Sequence, residues 1–262
     1  MKIRKLKVKN IILFMLIIIF IFSMSKIIIF YVDLNKNNKN TNELIDKVIN
    51  IEIEETTKKE VTKIDFDMLL SINKDTIGWI QFNDNKINNP IVHTKDNSYY
   101  LKHSFEKEYN QAGTIFMDYR NTSFDDKNVV LFGHAMLDDT MFGSIKDIFK
   151  KDFFNKKENN YIKIYNNKNE LLTYQIFSYY VIEKEEYYIT TSFNDDSDFN
   201  TFIDTLIKRS YKKFDVDVST NDNILTLSTC SGTGGTSKRK VVHAKRVSSI
   251  EGVSWWKSYL VD

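Results

Sequence analysis

Apolar and polar positions divide the chain into three textures. The first is a nearly unbroken run of Ile, Leu, Phe and Met from Ile11 to Phe22, and apolar character resumes from Ile27 to Val32. At ~1.5 Å per residue the stretch is long enough to cross a bilayer core as one helix. Lys26 lies near one end, where its long side chain can snorkel toward headgroups. Lys2, Arg4, Lys5, Lys7 and Lys9 precede the run, which places residues 1–10 in the cytoplasm, 11–32 in the membrane and everything after Asp33 outside. A cleaved signal peptide is the rival reading. Ser23-Met24-Ser25 offers only a weak cleavage site, and the apolar run continues past it. Both readings export the rest of the chain.

The second texture, residues 33–60, is polar. Asp33 to Asn42 is rich in Asn and Lys and reads as a solvated spacer. Leu44, Ile45, Val48 and Ile49 then recur at helical spacing, and the charged Glu52 to Glu60 marks an exposed end. Residues 61–262 form the third texture and the main domain. After a short helix carrying Phe66, Leu69 and Leu70, β-branched and apolar runs alternate with polar turns. The pattern predicts strands at Ile77–Phe82, Thr114–Met117, Val129–Phe132, Tyr161–Tyr165, Leu171–Ile182, Ile224–Thr229 and Lys240–Val247. Such a series points to a mainly β, closed or sandwiched architecture and not to a parallel α/β sheet. Two helices interrupt it. One spans Ser144–Phe154. The other spans Asp198–Arg209, with Phe199, Phe202, Ile203, Leu206 and Ile207 on one face, Ser197 as its cap, and Lys208 and Arg209 at its negative end.

Composition narrows the function. The 262 residues carry a formal charge of +2, but six basic residues and no acidic one precede Asp33, leaving 31 basic against 35 acidic in the remainder. A mildly acidic exported body lacks the footprint of a nucleic-acid binder. One cysteine, Cys230, excludes an internal disulfide and an all-cysteine metal site. No two histidines stand three or four apart, and no ordered calcium ladder is present. The Gly-rich run after Cys230 lacks the spacing of a phosphate cradle.

Cys230 ends a predicted strand, where a thiol is accessible, although a lone cysteine also serves as a small buried hydrophobe. A thiol attacks as the thiolate and needs a group that lowers its pKa or takes its proton. His134, just past the apolar Val129–Phe132 strand and after Gly133, is one candidate. His243, sharing a strand face with Val241, Lys245 and Arg239, is another, and spacing does not choose between them. His103 reads as a surface residue and His93 as an ordinary half-buried one. Arg239 is placed to stabilise an oxyanion, though beside Lys238 and Lys240 a plain basic cluster fits equally well.

At these residues the chain resembles the class B sortases, membrane-anchored cysteine transpeptidases of Gram-positive bacteria. The T-L-x-T-C signature stands as Thr226-Leu227-Ser228-Thr229-Cys230, the family's histidine block matches Gly133-His134, and its arginine matches Arg239 on the following strand. Asn73–Ile80, Asp96–Leu101 and Gly113–Asn121 are also similar to the family, and the resemblance spans roughly Asp65 to Val247. It implies a closed β-barrel of about eight strands, with N-terminal helices and a long helix inserted between late strands. It assigns Cys230 as the nucleophile, His134 as the proton carrier and Arg239 as the oxyanion group, with Ser228, Thr229 and Ser231 beside the substrate. The implied reaction cleaves a C-terminal, NPxTN-like sorting signal after Thr through a thioacyl enzyme. It then joins the protein to an amine of peptidoglycan or lipid II, with no cofactor. A pilin lysine is the alternative acceptor, and a wall-binding domain with a structural cysteine is the non-enzymatic alternative.

Overall fold

The computed structural model describes residues 2–54, 59–183, 187–230 and 237–247. Helix α1, Lys2–Val48, is continuous, so the segment read as a solvated spacer is helical. The physical reason lies in the sequence: residues 2–48 contain neither Gly nor Pro, and Asn and Lys each cost a helix only a few tenths of a kcal/mol. Burial supplies the rest. Leu34, Asn37, Leu44 and Val48 form a stripe at helical spacing that is buried against the domain.

Strands β1, Ile49–Glu54, and β2, Lys59–Ile64, form a separate antiparallel pair. The alternation Ile49, Ile51, Ile53 against Asn50, Glu52, Glu54 has period two. The helical spacing of Leu44 to Ile49 therefore ends where this alternation begins, and Glu52 belongs to a strand. Helix α2, Phe66–Ile72, follows as expected, capped by Asp65, which accepts a 2.8 Å bond from the Met68 N–H.

Eight further strands close into a barrel: β3, Thr76–Phe82; β4, Ile87–His93; β5, Ile115–Met117; β6, Asn128–His134; β7, Tyr161–Asn166; β8, Leu171–Glu183; β9, Ile224–Cys230; and β10, Lys238–Val247. The order around the barrel is β10-β8-β7-β3-β4-β5-β6-β9. The β4–β5 and β6–β9 pairs are parallel and the other barrel pairs antiparallel. All seven strands foreseen from the pattern are present. The eighth, β4, is masked in sequence by Asn88, Asn89 and Pro90, residues that argue against a strand interior. Pro90 is tolerated because it lies opposite Trp79 of β3, while pairing with β5 starts one residue later, at Ile91.

The helix foreseen at Ser144–Phe154 is instead two 3-10 turns, Gly143–Phe149 and Phe153–Asn155. Ile145 and Ile148, three apart, stack on one side of such a turn and are both fully buried. Helix α3, Asp196–Arg209, starts earlier than foreseen, and its cap is Asp195, not Ser197. The Asp195 carboxylate accepts from the Asp198 N–H at 2.8 Å, whereas Ser197 sits exposed inside the first turn.

Leu131, Ile164, Leu225, Leu227 and Val242 belong to the core that fills the barrel. Phe199, Phe202, Ile203 and Leu206 of α3 pack on Phe177, Tyr180, Ile224 and Val241 of the outer face. Beneath α3 lies a buried polar chain. The Thr226 hydroxyl donates to Asn128 Oδ1 at 2.7 Å and is 2.9 Å from His243 Nδ1, so Nδ1–H donates to it. His243 Nε2 then accepts from the Tyr180 hydroxyl at 2.9 Å. Both ring nitrogens are satisfied in the neutral form. Burial, aided by the Arg209 charge, pulls the His243 pKa down to about 3.

Two expectations follow. Asp195→Ala should lower stability by about 1 kcal/mol, while Ser197→Ala should be near neutral; denaturation midpoints of the two variants check the cap. The second concerns acid. Between pH ~6.5 and ~3 the unfolded chain protonates position 243 and the folded chain does not, so stability falls as pH falls through that window. His243→Gln, although less stable near neutrality, should lose a slope of about 1.4 kcal/mol per pH unit. Urea titrations of both proteins from pH 7 to 4 measure it.

Candidate active site

The barrel brings three adjacent strands together at one end. Parallel pairing of β6 with β9 is in register from Asn128↔Ile224 to His134↔Cys230. Strand β10 pairs with β9 antiparallel, with Val241 opposite Ser228. The same register, continued two residues, brings Arg239 opposite Cys230. With neighbouring strands about 4.8 Å apart, Cys230 is flanked by His134 on one side and Arg239 on the other. Alternation fixes the face. Leu225 and Leu227 point into the barrel core, while Thr226 and Ser228 join the polar contacts outside it. Position 230 therefore falls on the outer face at the strand's exit.

A chain of short-range contacts orients His134. Gly133 lets the strand end pass the Phe142 ring, since a Cβ there would sit 2.9 Å from it. The imidazole Nε2 is 2.8 Å from the Leu101 carbonyl oxygen. A carbonyl only accepts, so Nε2 carries the proton and Nδ1 holds the lone pair. That carbonyl is itself positioned. Asp96 accepts from the backbone N–H groups of Ser98 and Tyr99 at 2.7 and 2.8 Å, starting the Tyr99–Leu101 3-10 turn. Gly113, at φ +64°, passes so close to the Tyr100 carbonyl that a Cβ would lie 2.4 Å from it, and the Thr114 N–H donates to the same carbonyl at 3.0 Å.

Burial pushes the His134 pKa below the ordinary imidazole value; the Leu101 bond opposes this and the Arg239 charge adds to it. The strand registers place Arg239 and His134 on the two strands that flank the end of β9. Arg239 is half-buried. His243 is remote in role: it is fully buried under α3 with both nitrogens engaged. His93 is half-buried, as read from sequence. His103 is also half-buried, correcting the surface reading. Its ring stacks on Tyr99 at 4.0 Å and its Nδ1 donates to the Tyr99 carbonyl at 2.7 Å.

Of the three residues expected beside the substrate, Ser231 lies outside the described residues. Ser228 is buried, 3.0 Å from the Tyr188 hydroxyl, and the buried Thr229 hydroxyl accepts from the Lys240 N–H at 3.0 Å. Contact with substrate through either hydroxyl would require that bond to open. Sequence reading missed Tyr188 and the Leu101 carbonyl. Tyr188 sits in an aromatic, charged stretch with no period to mark it, and a backbone carbonyl has no residue signature at all. Near them, Arg120 forms a forked pair with the buried Asp118 at 2.9 and 2.7 Å and donates to the Ile189 carbonyl. It ties the segment carrying Tyr188 to the barrel.

Three neighbouring strand ends therefore carry Cys230, His134 and Arg239 in one row at one end of the barrel. Residues 80–247 match the family model described as Sortase domain. The chain is 35% identical to Sortase B of Staphylococcus aureus (strain NCTC 8325 / PS 47) over 244 residues, covering 92% of this chain and 96% of that protein. A crystal structure of sortase B from Bacillus anthracis in complex with AAEK1 superposes with TM-score 0.70 at 34% identity, covering 83% of this chain and 99% of that one. A Staphylococcus aureus sortase B-substrate complex superposes with TM-score 0.65 at 38% identity, over 70% of this chain and 85% of that one. With the barrel, the motif order and near full-length similarity in agreement, the chain belongs to the class B sortases, a family of transpeptidases.

Proposed function

We propose that this sortase cleaves a C-terminal sorting signal after a threonine and transfers the new carboxyl end to an amine of the cell wall. The observation that supports it most is the in-register His134↔Cys230 pairing with Arg239 on the next strand. In this reading the Cys230 thiol gives its proton to His134 Nδ1 and its sulfur attacks the threonine carbonyl carbon. The resulting oxyanion accepts hydrogen bonds from Arg239. As the C–N bond breaks, the leaving amine takes the proton from His134, leaving a thioester on Cys230. The acceptor amine then attacks the thioester and passes a proton to His134, the C–S bond breaks, and His134 returns that proton to the sulfur to restore the thiol. The depressed pKa of His134 fits the first step, because the imidazole is neutral near pH 7 and free to accept.

The substrate class follows from the family and from the related sortase B solved with its substrate; an NPxTN-like signal and a peptidoglycan or lipid II amine are the specific substrates proposed. The apolar part of α1 is long enough to span a bilayer. With the basic residues before it, the proposal places residues 1–10 in the cytoplasm, 11–32 in the membrane and the catalytic domain, 61–262, outside.

Cys230→Ala should abolish cleavage and transfer while leaving the melting curve unchanged. His134→Ala and Arg239→Ala should each lower kcat/KM by about 10²- to 10⁴-fold, and His243→Gln should retain most activity. Cleavage of a sorting-signal peptide library, with mass spectrometry of the adduct on Cys230, reads these outcomes. An active Cys230→Ala protein, or a dead His243→Gln protein beside a live His134→Ala one, overturns the assignment.

A further inference from the structure

Helix α1 does not leave the domain hanging from a tether. Apolar residues 11–32 measure about 33 Å as a helix, close to the hydrocarbon thickness of a bilayer. The domain grips the same helix at once. Phe30 is partly buried against the barrel core, Leu34 is buried in it, and the next turn is held from two sides. Lys36 Nζ donates to the Glu108 carboxylate at 2.7 Å, Asn37 Oδ1 accepts from Asn110 Nδ2 at 3.1 Å, and Asn38 Nδ2 donates to the Asp138 carboxylate at 2.9 Å. Lys36 and Asn38 lie only ~6 and ~9 Å of helix rise beyond Val32. The headgroup zone on each side of the hydrocarbon is about 5–7 Å deep. The Lys36–Glu108 clamp therefore sits at headgroup level, and the Asn38–Asp138 clamp lies just above its outer limit.

Each loop carries an exposed apolar side chain beside the clamping residue: Tyr109, at the stem of a hairpin where it bridges His103 and meets that ring edge-on, and Leu137, in the turn closed by the Ala135–Met141 bridge. Tyr109 follows Glu108 and is 68% exposed; Leu137 precedes Asp138 and is 70% exposed. Tyrosine is favoured where one end of a side chain is apolar and the other wet. The surrounding charges are of both signs: Lys36, Lys102 and Lys107 against Glu106, Glu108, Asp138 and Asp139. Attraction to an anionic surface therefore does not drive the contact, and apolar insertion does.

We infer that Tyr109 and Leu137 seat the outer leaflet of the bilayer, so that the domain rests on the membrane through these two loops. The inference rests on the reading of residues 11–32 as a membrane anchor. It has a consequence for the acceptor. Leu137 is three residues from His134, at most about 10 Å of extended chain, so the site would be held within reach of a lipid-linked amine.

The test uses the full chain carrying Cys230→Ala and a single added cysteine, Tyr109→Cys, Leu137→Cys or Ile207→Cys, labelled with an environment-sensitive fluorophore. Ile207 is exposed on α3, which packs on β8, β9 and β10 and not beside α1. Each protein is reconstituted into phosphatidylcholine–phosphatidylglycerol vesicles, with and without lipids spin-labelled near the headgroup. Several-fold stronger quenching at positions 109 and 137 than at 207, in outward-facing protein, is the expected result. Equal quenching at all three, or at only one of the two loops, overturns the inference while the anchor stands. Failure of the chain to float with the vesicles overturns the anchor and the inference together. Because the readout involves no catalysis, neither outcome depends on the transpeptidase chemistry.

Discussion

The site depends on the register of one parallel strand pair. Side chains on a strand alternate with period two, so slipping β9 by one residue against β6 would turn position 230 into the barrel and offset it from His134. Several contacts oppose the slip. Leu225 and Leu227 are buried in the same core as Val129 and Leu131, and the Thr226 hydroxyl bonds Asn128 across the pair at 2.7 Å. At the far end the Ile224 N–H donates to the Lys127 carbonyl at 2.9 Å. Each tie lies at a distance from Cys230, so the core and the buried polar chain hold the register from the far part of the pair. A parallel pair also needs a long crossover, and residues 135–223 supply it. That crossover contains β7, β8 and α3, which explains why so much of the domain must fold before His134 and Cys230 meet.

The two candidate histidines differ in their hydrogen bonding and not in burial alone. Both have depressed pKa values for which burial is the first cause. His243 spends both nitrogens inside the protein, donating to Thr226 and accepting from Tyr180. Charging it would break the bond from Tyr180 with no solvent to compensate. His134 spends only Nε2 on the Leu101 carbonyl, and among the described residues Nδ1 has no hydrogen-bond partner. One held nitrogen and one available nitrogen is the arrangement a proton carrier needs. Arg239 raises the cost of a cationic His134 in the free protein, and in the proposed reaction that cost falls once an oxyanion forms beside the guanidinium.

Much of this was legible from pattern. Seven of the barrel strands announced themselves as β-branched runs between polar turns, and the stripe from Phe199 to Leu206 marked α3. Strand β4 was hidden because Asn88, Asn89 and Pro90 oppose strand propensity and only tertiary pairing with Trp79 and Ile115 overrides them. The helical course of residues 33–48 was hidden for the complementary reason: its polar surface reads as loop, and the buried stripe from Leu34 to Val48 is sparse. Motif order points to Cys230, His134 and Arg239 by resemblance, whereas residue chemistry alone leaves His243 and a plain basic cluster as open rivals. The Leu101 carbonyl was out of reach. A main-chain acceptor is placed by the turn that Asp96 begins and the close passage that Gly113 allows, and neither has a spacing that names its target.

The continuous helix changes what an anchor does. A flexible tether limits only distance, whereas a helix without Gly or Pro, gripped at Phe30, Leu34 and Lys36 to Asn38, also limits orientation. The buried stripe then runs on to Leu44 and Val48, which pack with Trp79, Val92 and Phe116, so the helix is held over about 20 Å beyond the apolar segment. Rotating the barrel about such a rod would expose Leu34, Leu44 and Val48 together, at roughly 1.5–3 kcal/mol for each fully buried side chain. With residues 11–32 in a bilayer, as proposed, one side of the barrel is thereby kept toward the membrane. His134 leads directly into the loop that supplies Asp138 to the grip, so the contacts that fix the domain against α1 also hold one member of the proposed catalytic row.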